Sequence, residues 1–134
     1  MMKTLVVDDD YIVRAMLCEL LAPYGDCEES PNGLDALKRY KRAYHEGTPY
    51  DLIVMDVLMP ELSGREVLKK IRNMEYKRGA AMVDEVKVIM ISYLGDPEDV
   101  VSSFRSGATA YIVKPIDAGV LHMRIKELGL PGGE

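Results

Sequence analysis

Three consecutive carboxylates, Asp8, Asp9 and Asp10, follow the apolar run Leu5-Val6-Val7, and a fourth, Asp56, continues the run Leu52-Ile53-Val54-Met55. Ser92 follows Val88-Ile89-Met90-Ile91 in the same way, and Lys114 follows Tyr111-Ile112-Val113. Carboxylates crowded together repel and raise one another's pKa unless a cation offsets them. Their hard oxygen donors suit Mg2+. An ion held in this way keeps coordination positions for water and phosphoryl oxygens, while a Lys and a hydroxyl can contact the oxygens that remain. In that setting Asp56 can accept a phosphoryl group, because the ion and Lys114 offset charge on the transferring group and align it for in-line attack. The acyl phosphate so formed adds negative charge and acceptor oxygens able to draw in a hydroxyl such as Ser92.

Each residue also has a structural reading. Asp9 or Asp10 can cap a helix that follows the first run, and Ser92 and Lys114 are common residue types at loop starts. Asp56 is harder to explain structurally, since an acid directly continuing the most apolar run of the chain, with Met59-Pro60 after it, is a costly place for a charge without a task.

The elements that must position these groups are legible. The four apolar runs are continuous rather than alternating, the pattern of parallel strands covered on both faces. Asp26 to Glu29, poorer in apolar residues and followed by the turn Pro31-Asn32-Gly33, reads as a short edge strand. Helical spacing links Val13, Leu17, Leu20 and Leu21, then Val67, Leu68 and Ile71, then Leu121, Ile125 and Leu128. Helix starts are marked by Asp9 or Asp10, by Ser63 with Glu66 as a capping box, and by Asp96-Pro97. Gly129-Leu130-Pro131-Gly132-Gly133 reads as a helix stop and a frayed tail. Alternating strands and helices predict an α/β domain: a doubly wound, five-stranded parallel sheet with helices on both faces. Such sheets bind ligands beyond the carboxyl ends of their strands, where the acids, Ser92 and Lys114 fall.

Other features bound the function. A length of 134 residues suits one domain, expected over 1-130 with a flexible tail at 131-134. No apolar stretch approaches the roughly 20 residues of a membrane span. No cleavable leader precedes the first strand, so a cytoplasmic location and no membrane contact are expected. A net charge of -5 opposes direct nucleic-acid binding. The basic run Lys38-Arg39-Tyr40-Lys41-Arg42 lies in a helical pattern and reads as a solvated face. Cys18 and Cys27 lack metal or redox spacing, and His45 and His122 are isolated. Asn73 to Glu85, rich in Met, Lys, Arg and Gly, reads as a surface loop or helix extension without a role.

Taken together, Val6-Val7-Asp8-Asp9 with Arg14, the segment Leu52 to Pro60, Ser92 and Lys114-Pro115 resemble the response-regulator receiver family of two-component signalling, over nearly the whole chain. The resemblance implies a flavodoxin-like fold of receiver type and a phosphorylation-dependent switch. It also implies that Asp56 is phosphorylated and that Asp8 and Asp9 hold Mg2+ with Asp56 and the backbone carbonyl of Leu58. Ser92 and Lys114 would assist, a cis bond would join Lys114 to Pro115, and Tyr111 would turn inward as Ser92 is drawn to the phosphoryl group. A protein of this kind catalyses only its own Mg-dependent phosphorylation and dephosphorylation. Its partners would be a sensor histidine kinase or phosphotransfer protein as donor, and a downstream protein read through the fourth helix, fifth strand and fifth helix, with a homodimer left open. Tyr93 departs from the family's small residue, and its ring is expected to narrow access to Asp56. The rival readings are a phosphatase resembling the haloacid dehalogenase family, which would use Asp8 or Asp10 as nucleophile, a receiver-like binding module independent of phosphorylation, and a flavin carrier, which the acids oppose.

Overall fold

The computed structural model describes residues 1–80 and 84–131. Five strands, β1 (Met2–Val7), β2 (Gly25–Ser30), β3 (Leu52–Asp56), β4 (Lys87–Ser92) and β5 (Ala110–Val113), form one sheet in the order β2-β1-β3-β4-β5. All neighbouring pairs are parallel. Five helices connect them: α1 (Tyr11–Leu21), α2 (Gly33–His45), α3 (Gly64–Lys77), α4 (Pro97–Arg105) and α5 (Ala118–Glu127). The doubly wound α/β architecture expected from the alternation is therefore the one formed.

Continuous apolar strands are explained by the two layers. Leu5, Val7, Ile53, Met55, Val88 and Met90 pack against α2 and α3 on one side. Their alternate neighbours Val6, Leu52, Val54, Ile89 and Ile91 pack against α1 and α5 on the other. Each such side chain, removed from water, contributes about 1.5–3 kcal/mol before entropy is counted. β2 pairs only with β1, so its outer edge faces water, which is why its sequence is polar. Its Glu28 and Glu29 meet Lys3, Arg39 and Arg14 instead of a core.

The helix starts resolve the open choices. Asp10, not Asp9, caps α1 by accepting from the Ile12 N–H. Ser63 and Glu66 form the expected capping box of α3. Asp96 stands before α4 without a capping hydrogen bond, so Pro97 and the acidic first turn carry that start. α4 lies beside α3, tied by Arg65 to Ser103 Oγ at 3.2 Å and to Asp99.

The end of α5 departs from a frayed tail. Gly129, at φ 70°, returns its N–H to Lys126 O, and Leu130 donates to Ile125 O. This Schellman closure drops Leu130 into the core beside Ile125, so order extends to that residue. Of the tail expected at 131–134, residues 132–134 lie outside the described residues, as do residues 81–83 of the Asn73–Glu85 segment, whose first part extends α3 to Lys77. No helix is long and apolar enough to cross a membrane among the described residues. Cys18 and Cys27 are free thiols that burial pushes up, which keeps them protonated.

Candidate functional site

Strand register brings the expected residues to one edge. Val7 lies opposite Met55, Asp56 opposite Ile91, and Ser92 opposite Val113. Each next residue therefore leaves its strand beside its neighbour, which gathers Asp8, Asp56, Ser92 and Lys114 from four strands. The ladder continues past the strand ends through Asp8 N–H to Ser30 O, Val57 N–H to Ile91 O and Lys114 N–H to Ser92 O, holding these backbones in place.

Lys114 stands between two carboxylates. Its Nζ donates to Asp8 Oδ2 at 2.8 Å and lies 3.3 Å from Asp56 Oδ2. Asp8 is fully buried, Asp56 is 6% exposed and Lys114 8%, so these charges meet with little water between them. Asp8 Oδ1 also accepts the Asp10 N–H at 2.8 Å, while Arg14 Nη1 donates to the Asp8 carbonyl and its Nε to Glu29. Asp9 is exposed. The Asp8, Asp9 and Asp56 carboxylates each offer an oxygen, all within 4.8 Å of one another.

Burial pushes the Asp56 carboxyl above its ordinary range and the Asp8 charge adds to this, against the pull of Lys114 and the Leu58 N–H. For Lys114 burial favours loss of the proton, but the hydrogen bond to Asp8 and the charges of both acids outweigh it and hold the ammonium up. One ammonium facing three clustered carboxylates leaves negative charge uncompensated. A hard divalent cation fits this donor set, and exposed Asp9 leaves it a path from solvent.

Ser92 is buried, and its Oγ accepts the Leu94 N–H at 3.1 Å. The Tyr111 hydroxyl donates to the Leu94 carbonyl at 2.5 Å. Leu94 thus joins the two residues through its backbone, which leaves no side-chain signal in the sequence. Tyr93 is 70% exposed, with its ring centre 5.4 Å from Lys114 Nζ. The Lys114–Pro115 bond is cis.

One positioning residue is absent from the sequence-based reading. Gly64, the first residue of α3, donates its N–H to Val57 O and packs so tightly that a Cβ there would lie 2.2 Å from the Asp56 carbonyl oxygen. Ser63 and Glu66 signal the helix start in the sequence, but nothing in it shows that this start abuts Asp56.

The response regulator receiver domain family matches residues 4–126, and the chain belongs to that family. The chemotaxis protein CheY of Bacillus subtilis is 33% identical over 118 residues, covering 87% of this chain and 88% of that protein. Among solved structures, the CheX–CheY–BeF3–Mg2+ complex of Borrelia burgdorferi matches with TM-score 0.78 and 28% identity, over 96% of this chain and 90% of that one. The receiver domain of Ssk1 with the histidine phosphotransfer protein Ypd1 of Saccharomyces cerevisiae matches with TM-score 0.84 and 27% identity, over 96% and 88%. The chain is a signalling switch of two-component systems that takes up a phosphoryl group, which displaces the phosphatase and flavin readings.

Proposed function

We propose that Asp56 is the residue phosphorylated and that Asp8, Asp9, Asp56 and the Leu58 carbonyl hold Mg2+ beside it. The observation that carries this reading is the buried Asp8–Lys114–Asp56 contact, with Asp9 exposed at its margin. When bound, the ion supplies positive charge for the oxygens of the incoming phosphoryl group. An Asp56 carboxylate oxygen attacks phosphorus, and the new O–P bond forms as the bond from phosphorus to the donor breaks. The leaving imidazole of a phosphohistidine, or the acetate of acetyl phosphate, keeps the electron pair. The Lys114 ammonium, already poised at both acids, turns to the phosphoryl oxygens. Ser92 contributes its hydroxyl, and because Leu94 joins Ser92 to Tyr111, movement of one reaches the other. Beyond its own phosphorylation and dephosphorylation the chain catalyses nothing.

A sensor histidine kinase or a phosphotransfer protein would be the donor, as the Ssk1 receiver found with Ypd1 suggests by analogy. The downstream protein would read α4, β5 and α5, whose surface exposes Val101, Phe104, Val113 and Met123. The expected cytoplasmic location belongs to the same reading. Incubation of wild type and Asp56→Asn with Mg2+ and acetyl phosphate, followed by intact mass, tests it. Addition of one phosphoryl group to the wild type alone is expected. Modification of both proteins would overturn Asp56 as acceptor, and modification of neither would overturn Mg-dependent uptake from acetyl phosphate at this site.

A further inference from the structure

Two basic segments that have no part in phosphoryl transfer meet in the fold. The run Lys38 to Arg42 lies on α2, and Lys77-Arg78 closes α3 beside it. The two helices pack against each other, and their C-terminal turns leave a cavity of about 240 Å³ lined by Tyr40, Lys41, Tyr44, His45, Met74, Lys77 and Arg78. Lys41, Tyr44, His45, Lys77 and Arg78 are all exposed.

Cations near helix C-termini can be no more than solvated ends that complement the helix dipole. Here their arrangement is more specific. The Arg78 guanidinium lies 3.7 Å from the Tyr44 ring centre and 5.6 Å from that of Tyr40, and it donates to the Tyr40 hydroxyl at 2.8 Å. It is therefore held in one orientation across the two helices rather than left to sweep through water. Among the described residues Lys41, Lys77 and Arg78 form no ion pair, whereas the nearest buried acid, Glu75, is satisfied by Arg72 and the Val86 N–H. In a chain of net charge -5, this concentrates unpaired positive charge around a floor of Tyr40, Tyr44 and Met74.

We propose that this cleft docks an acidic segment of a partner protein that carries one large apolar side chain. The apolar side chain would fill the floor, and flanking carboxylates would meet Lys41, Lys77 and the preoriented Arg78, whose planar fork suits a carboxylate. Charge complementarity calls for an acidic occupant, and the apolar floor of Tyr40, Tyr44 and Met74 within a concave cleft selects a protein segment with an apolar side chain over a polyphosphate chain, which has none, or a flat anionic membrane. The site lies away from Asp56 and Lys114 and does not depend on phosphorylation.

The probe is a fluorescein-labelled peptide of Glu and Asp around a single Phe, followed by anisotropy, with labelled oligothymidylate and vesicles containing phosphatidylserine as competing probes. The peptide is expected to bind wild type and Asp56→Asn alike, and to weaken as salt is raised. The double variant Lys41→Glu, Lys77→Glu should weaken it about tenfold. Replacing the Phe by Gly should weaken it as well, and amide signals of Lys41, Tyr44, Lys77 and Arg78 should shift on binding. Because these side chains are exposed, the variant's thermal melt should match wild type, and Arg78→Lys gives a second, milder reduction. No binding, binding indifferent to the charge reversals, or tighter binding of oligothymidylate or vesicles would each overturn the proposal.

Discussion

Tyr93 illustrates how one side chain adjusts a site it does not build. The residue follows Ser92 directly, yet its ring stays in solvent and stands 5.4 Å from the Lys114 ammonium, within cation–π range. An ammonium that faces a ring as well as two carboxylates would give up more in turning to a phosphoryl group, and on the access reading proposed for Tyr93 its ring would also narrow the approach of small donors. Tyr93→Ala should therefore speed both uptake from acetyl phosphate and loss of the phosphoryl group by about two- to fivefold, the rate equivalent of an exposed cation–π contact. Timing both reactions by intact mass checks this, and rates equal to wild type would remove any role of the ring in access.

At the scale of elements, the start of α3 abuts the backbone of Asp56, the proposed acceptor. The Ser63–Glu66 capping box fixes where the helix begins, and Gly64 then meets the Asp56 carbonyl with no room for a Cβ. A methyl group at 2.2 Å from a backbone oxygen must displace either the helix or the end of β3. Gly64→Ala should destabilise by about 1–3 kcal/mol, as overpacking does elsewhere, and should slow phosphoryl uptake because Asp56 moves with the strand. Ser63→Ala is the control, since it removes a cap from the same turn, costing about 1 kcal/mol, without crowding Asp56. Urea melts and acetyl phosphate kinetics on both variants separate the two effects, and equal kinetics would show that the contact is structural alone.

For the molecule as a whole, Asp56 ties folding stability to pH. Burial and the Asp8 charge raise the Asp56 pKa in the folded chain, so over the window above the ordinary carboxylate value the folded state binds more protons than the unfolded state. Unfolding free energy from this group then falls as pH rises through that window, and the loss is complete above the folded pKa. In the presence of a chelator, Asp56→Asn should gain stability over wild type as pH is raised from about 4 towards neutrality. Mg2+ should narrow the gap, adding about 2.7 kcal/mol to the wild type at a hundredfold excess over its Kd. Urea midpoints of both proteins across pH, with and without Mg2+, test this. A difference that does not change with pH would mean that Asp56 carries no net electrostatic strain.

The sequence by itself determined the alternation of strands and helices, the buried character of β1, β3 and β4, the edge position of β2, and the four strand ends that carry polar groups. These follow from local rules: apolar runs report burial on two faces, and polar residues after them report the ligand edge. Tertiary structure alone decided that Asp10 rather than Asp9 caps α1, that Leu130 returns to the core, and that Gly64 abuts Asp56. It also joined Ser92 to Tyr111 through the backbone of Leu94 and brought the basic turns of α2 and α3 together around Tyr44. Each of these depends on contact between residues distant in sequence or on backbone groups common to every residue. Neither kind of information is carried by residue type and spacing; both arise only when the chain packs.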